Sequence, residues 1–174
     1  RDELDNTLFV ITSDNGPEGA SGPPTSAKGG STGGLRGRKR GDHEGGIRVA
    51  RWPGHIKPGT TSDIPVIGTD LFSTILDITG LEQPKDRTID GVSILPAFAG
   101  KRLTRPVPLF WRTHVSPPDD RVAMRIGDWK IIGNETLTNF MLFNIQKDWQ
   151  EKNNLAAEMP EKSAEMKATL LKVW

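Results

Sequence analysis

The feature that most constrains this chain is the run Thr7-Leu8-Phe9-Val10-Ile11-Thr12, which stops at Ser13-Asp14-Asn15-Gly16. Apolar and β-branched residues follow one another without polar alternation, the pattern of a strand covered on both faces. Such a strand fits an open α/β sheet, and sheets of that kind bind ligands beyond the carboxyl ends of their strands. Asp14 and Asn15 fall at that end. Their side-chain oxygens are hard donors, suited to Ca²⁺ or Mg²⁺. Asp14-Asn15-Gly16 is equally at home in a plain turn, so this stretch by itself leaves turn and site both open.

A covered strand needs neighbours, and the six residues before it, Arg1-Asp2-Glu3-Leu4-Asp5-Asn6, are mostly charged or polar. The expectation is therefore the carboxyl-terminal part of a larger protein. A length of 174 residues suits one domain or a portion of one, and the 34% apolar fraction is enough for a core. No apolar run is long enough to cross a bilayer, and no signal-peptide pattern opens the chain. There is no cysteine, which excludes a disulfide framework, a thiolate metal site and a Cys nucleophile within these residues.

After Gly16 a linker of Gly, Ser, Pro and Thr runs to Gly34, long enough to be either functional or disordered. A basic, glycine-rich loop follows. From Lys28 to Arg51 there are seven Lys or Arg against two acids, together with eight glycines. Glycines let backbone N–H groups approach an anion, and the cations supply its counter-charge. A nucleic-acid tail is disfavoured because no aromatic residue is interleaved to stack on bases. A solvated surface loop remains an alternative to an anion site.

Ile47 to Trp52 alternates as a short strand. Leu71, Phe72, Ile75, Leu76 and Ile78 then recur at helical spacing, with Thr69 as N-cap, Asp70 in the first turn and Gly80 as C-cap. This predicts a helix that packs through its apolar stripe. Ser93 can cap a short helix ending near Gly100. Beyond Pro106 the pattern changes to strands: 107–111, then 122–126 and 129–132 about a turn at Gly127-Asp128, then 140–145. A last helix follows Pro160, with Ala164, Ala168, Leu170 and Leu171 as its apolar face. The expected fold class is α/β. Residues 1–104 would end a large sheet-and-helix domain, and 105–174 would form a small antiparallel sheet with a carboxyl-terminal helix.

Five stretches, in order, resemble the sulfatase family of the alkaline-phosphatase-like superfamily. They are Ser13-Asp14-Asn15-Gly16; Leu35-Arg36-Gly37-Arg38-Lys39 with Glu44-Gly45-Gly46-Ile47-Arg48-Val49; Thr69 to Asp77 with Ile89 to Leu95; Gly127-Asp128-Trp129-Lys130; and Asn153-Asn154-Leu155-Ala156. The resemblance covers nearly the whole chain. It implies hydrolysis of sulfate esters by a formylglycine nucleophile, made from a Cys or Ser, with a divalent cation, usually Ca²⁺ and in some members Mg²⁺. Asp14 and Asn15 match two metal ligands of the family. Lys39, five residues before the Glu44-Gly45-Gly46 stretch, matches the lysine that contacts the sulfate.

The resemblance also sets expectations about what is missing. The family's Cys-x-Pro-x-Arg or Ser-x-Pro-x-Arg motif does not occur here. The nucleophile and the remaining ligands would then lie in the amino-terminal part of the same enzyme, and this chain alone would be inactive. Arg38 and Arg40 stand where the family commonly has glycine, adding positive charge. His43, close to Lys39, and His114, in the carboxyl-terminal sheet, are candidate substrate contacts, while His55 after Pro53-Gly54 reads as simply exposed. The implied partner is a sulfated small molecule or carbohydrate, with no nucleic acid and no membrane segment. Relatives are often periplasmic, secreted or lysosomal. A phosphodiesterase or phosphonate monoester hydrolase of the same superfamily, or a non-catalytic anion-binding module, would carry many of the same residues.

Overall fold

The computed structural model describes residues 3–12, 16, 33–37, 39, 43–44, 50–51 and 55–174. The chain divides into two compact units. One comprises Arg1–Ile11 and Val49–Pro108, the other Thr12–Arg48 and Leu109–Trp174.

In the first unit, β1 (Phe9–Val10) pairs antiparallel with β2 (Ala50–Arg51). This corrects the reading of the opening run as a strand covered on both faces. Phe9 is 40%, Val10 37% and Ile11 66% exposed. Among the described residues β1 has one two-residue partner, and a ladder that short buries neither face.

Helix α1 (Asp70–Thr79) forms where its periodicity predicts, but it is held differently. Thr69 has helical angles and makes no side-chain cap bond. The work falls to Asp70, which is fully buried. Its Oδ2 accepts from the Ile67 N–H at 2.8 Å and its Oδ1 from the Val92 N–H at 3.0 Å. Arg105 closes on it as a fork, at 2.8 Å to Oδ1 and 2.6 Å to Oδ2. Gly80 ends the helix as expected, at φ +69°, with the Leu81 N–H returning to the Leu76 carbonyl at 2.9 Å.

The face that α1 buries is polar. Ser73 Oγ donates to the Gly91 carbonyl at 2.8 Å, and Thr74 Oγ1 accepts from the Ile94 N–H at 3.0 Å. Phe72 and Ile75 stay open, 47% and 56% exposed. The apolar stripe is real, but within this unit Asp70, Ser73 and Thr74 meet the 91–94 segment instead. Helix α2 (Leu95–Phe98) follows, with Pro96 in its first turn.

The second unit is a four-stranded antiparallel meander: β3 (Leu109–Arg112), β4 (Val122–Ile126), β5 (Trp129–Gly133) and β6 (Phe140–Asn144), in that order. Alternation along each strand divides its side chains between two faces. Val122, Met124, Ile131 and Leu142 form one, packed against Met166 and Leu170 of helix α3 (Pro160–Val173). Full burial of side chains of this size is worth about 1.5–3 kcal/mol each. The predicted helix face is corrected by one step: Leu170 is inward, but Leu171 is 52% exposed, and Met166 takes the place given to the alanines. Met166 and Leu170 lie four apart on one side of the helix, and they fill the space a methyl group would leave open.

Candidate functional site

The other face of the meander carries charge. The register places Leu109, Arg125, Lys130 and Phe143 in one row across the four strands. Arg125 and Lys130 are direct neighbours, an arrangement that repels unless an acid intervenes. Glu44 supplies it, with Oε2 2.5 Å from Arg125 Nη1 and Oε1 3.0 Å from Lys130 Nζ. Lys130 also lies 3.2 Å from Glu151 Oε1. The Lys130 side chain is 2% exposed and that of Glu151 fully buried, so these charges meet in a water-poor setting where pairing is obligatory.

Glu151 is the hub of the network. Its Oε2 accepts from the Glu44 N–H at 2.8 Å, and its carbonyl accepts from Arg36 Nη1 at 2.5 Å. His43 Nδ1 lies 3.0 Å from its Oε1. It is an ion-pair contact, since neither of these two buried atoms has a hydrogen-bond partner. The other ring nitrogen of His43 is 3.9 Å from Asp120 Oδ2. Burial pushes the Glu151 carboxyl upward, but His43, the Lys130 ammonium and the Glu44 N–H together outweigh it and hold the group below the usual carboxylate range. Its backbone sits at φ +52°, a left-handed conformation that a non-glycine residue keeps only where its surroundings over-determine it.

Arg36 on one side of Lys39, and His43 and Glu44 on the other, therefore meet the sheet as two arms. Phe143 is the floor, with the Arg36 guanidinium 5.8 Å above its ring and His43 edge-on at 6.0 Å. Gly37, at φ +80°, closes the arms on each other: a Cβ there would stand 2.7 Å from the His43 Cβ. Lys39 falls between the arms in sequence and is half-buried.

Of the residues singled out from the sequence, Lys39 and His43 are described and belong to this one segment. The His43 side chain is 8% exposed and turned toward Glu151 and Asp120. His114 is exposed in the connection between β3 and β4. Asp14 and Asn15, with Arg38 and Arg40, lie outside the described residues. Among the described residues no group of three or more His, Cys, Asp or Glu could hold a metal ion.

Sequence reasoning assigned no role to Arg125, Lys130, Asp120 or Glu151. A signal for the first two was present, because a hairpin turning at Gly127-Asp128 sets positions 125 and 130 opposite each other. For Asp120 and Glu151 the local sequence holds no such signal.

Comparison with known proteins defines the class as sulfatase. The chain is 45% identical to N-acetylgalactosamine-6-sulfatase of Sus scrofa over 106 residues, which is 59% of this chain and 20% of that protein. It is 43% identical to steryl-sulfatase of Rattus norvegicus over 99 residues, 55% of this chain and 17% of that protein. A solved structure tied to the metabolism of multiple glycosaminoglycans by Bacteroides thetaiotaomicron superposes with a TM-score of 0.76 at 27% identity, covering 98% of this chain and 39% of that one. The chain thus spans about one fifth of the length of the curated relatives it matches. It belongs to the N-sulphoglucosamine sulphohydrolase C-terminal family, whose pattern it matches over residues 39–173.

Proposed function

We propose that this chain forms the carboxyl-terminal part of an enzyme that hydrolyses sulfate esters, with Lys39 contacting the substrate sulfate. The observation that supports this reading most is the family match, which begins at Lys39 and runs through the braced loop, the meander and α3. An ammonium group is a compact point charge, and a fixed one offsets the charge that grows on the sulfate oxygens as the S–O bond breaks.

Asp14 and Asn15 would supply two oxygens to a divalent cation, Ca²⁺ or Mg²⁺. Such a cation, when bound, neutralises charge on the sulfate. Calcium usually takes six to eight oxygens, so the remaining ligands, with the formylglycine nucleophile, belong to another part of the enzyme. This chain alone then binds calcium poorly and turns over no ester. Calcium titration by calorimetry on residues 1–174 checks the point, and a sub-micromolar affinity would overturn it.

Sulfated carbohydrate is the favoured substrate class. The relative named for N-acetylgalactosamine-6-sulfate chemistry and the glycosaminoglycan-linked structure both support it, while the steryl-sulfatase likeness makes sterol sulfate its rival. His114, open to solvent, is available to such a substrate. His43, committed to Glu151, serves the loop instead.

The test is a panel of aryl sulfate, sulfated sugar, steryl sulfate and phosphodiester substrates on the complete enzyme. Sulfate esters should be preferred, and Lys39→Ala should lower kcat/KM on them by about 10²–10³-fold. A preference for phosphodiesters would assign the protein to the phosphodiesterase branch. Sulfated-glycan binding without turnover would make it an anion-binding module.

A further inference from the structure

The turn 148–151 touches the 33–44 segment on both sides of Lys39. On the near arm, Gln150 Nε2 donates to the Gly34 carbonyl at 3.0 Å, and Arg36 Nη1 donates to the Glu151 carbonyl at 2.5 Å. A Cβ on Gly34 would stand 3.0 Å from the Trp149 ring, so that arm runs against the turn itself. On the far arm, the Glu44 N–H donates to Glu151 Oε2 at 2.8 Å, and His43 Nδ1 sits 3.0 Å from Oε1. One residue, Glu151, therefore receives both arms: one through its carbonyl, the other through its carboxylate.

The neck is narrow for a second, independent reason. At Gly37 and His43 the arms approach so closely that no side chain fits at position 37, and the positive φ there also favours glycine. In sequence, Lys39 lies between Gly37 and His43. Arg36 and His43 are seven positions apart, a span that could reach about 25 Å if extended. Here the two ends of that span are both tied to Glu151, one through its carbonyl and the other through its carboxylate.

We propose that Glu151 is the positioning residue for Lys39: by tying together the two arms of the loop, it holds the lysine where the substrate sulfate must lie. This role rests on the reading of Lys39 as the sulfate contact. Glu151 touches no substrate. It acts through Glu44, His43 and Arg36, with Lys130 of β5 keeping its carboxylate in place from the sheet side, and Asp120 facing the outer nitrogen of His43.

The test is a double-mutant cycle on the complete enzyme with a sulfate ester substrate. Misplacing a catalytic group by an ångström costs up to about a hundredfold, so Glu151→Ala is expected to lower kcat/KM by about tenfold to a hundredfold. The loss should fall mainly on kcat. In the Lys39→Ala background the same substitution is expected to cost less than about threefold, because residues acting as one unit are non-additive. Glu151→Gln, which keeps an oxygen for the Glu44 N–H, should recover part of the loss. Should Glu151→Ala fail to fold, Gly37→Ala opens the neck from the other side and enters the same cycle.

An equal loss with and without Lys39 would overturn the positioning role while leaving Lys39 as the sulfate contact. Wild-type kcat/KM in a folded Glu151→Ala enzyme would do the same. Full activity in Lys39→Ala alone would overturn the reading of Lys39, and the positioning role with it.

Discussion

Arg125 faces Lys130 across the β4–β5 ladder, and the two cations share the single carboxylate of Glu44. A pair of like charges would ordinarily weaken a hairpin. Here the hairpin binds a remote segment, because the acid that reconciles the two cations arrives from a loop more than eighty residues earlier. The sheet and the loop are in this sense one structural decision.

Removing Glu44 should accordingly be costly. Its side chain is 19% exposed, and its loss leaves Arg125 facing a buried Lys130 without their shared partner. Breaking a buried pair from one side typically costs about 3–5 kcal/mol. Glu44→Ala is expected to lower stability by that order in urea unfolding of the enzyme. A loss under about 1 kcal/mol would place the pair with ordinary surface bridges.

Acid should loosen the same region through Glu151. Its folded-state pKa is depressed, so its ionised form contributes stability that is fully present above the ordinary carboxylate value, about 4.3. That stability is lost as the pH falls below this value and through the lower folded one. The urea midpoint should therefore drop on acidification in this range. In Glu151→Gln the acid limb should be shallower, and an unchanged limb would mean that other carboxylates govern it.

In the first unit, the fork between Arg105 and Asp70 predicts an asymmetry between two substitutions. Arg105 also donates to the Pro65 carbonyl at 2.9 Å, so one guanidinium serves a carboxylate and a backbone oxygen together. Lysine keeps the charge but not the fork. Arg105→Ala should cost about 3–5 kcal/mol, since Asp70 is left buried without its cation. Arg105→Lys should recover only part of that. Full recovery in thermal unfolding would show that charge alone matters there.

Gly91 gives a steric prediction. A Cβ at this position would stand 2.1 Å from the Thr69 carbonyl oxygen and 2.9 Å from the Asp70 nitrogen, both backbone atoms that cannot swing aside. Relief would require moving the 91–94 segment off α1, at the expense of the Ser73 and Thr74 bonds. Gly91→Ala should destabilise by about 1–3 kcal/mol or more, measured by thermal unfolding. A neutral effect would show that the segment shifts freely.

Much of the fold was legible because it rests on short-range chemistry. The β4–β5 hairpin follows from two apolar runs about one turn, the end of α1 from Gly80, and the start of α3 from Pro160. The errors have a common physical origin. A hydrophobic stripe says which face of α1 is apolar, but not whether anything within this unit covers it, so Phe72 and Ile75 were read as inward. On α3, alanine and methionine are both apolar, and only the gap beneath the helix favours Met166. Phe9 and Val10 suggested a covered strand for the same reason.

The candidate site divides along the same line. Lys39 and the Glu44-Gly45-Gly46 stretch carry a family pattern in local sequence. Glu151 carries none, since its partner Glu44 is 107 residues away and its role depends on how β4, β5 and the loop meet. Arg125 and Lys130 stand between these cases: alternation puts them side by side, but nothing near them names the acid.

The two-faced meander makes this unit unforgiving of changes in length. Side chains alternate strictly along β5, so one residue inserted between Trp129 and Lys130 would reverse every position after it. Lys130 would be driven under α3 among Met166 and Leu170, and Ile131 would turn to the opposite face, where Ile132 now packs with Ala123 and Phe143. Hydrophobic substitutions within either face can be absorbed by repacking, whereas a one-residue insertion ahead of Lys130 puts a charge under α3 and takes Lys130 away from Glu44 at once. In descendants of this sequence, variation in length should therefore gather in the connections between strands and be absent from β5.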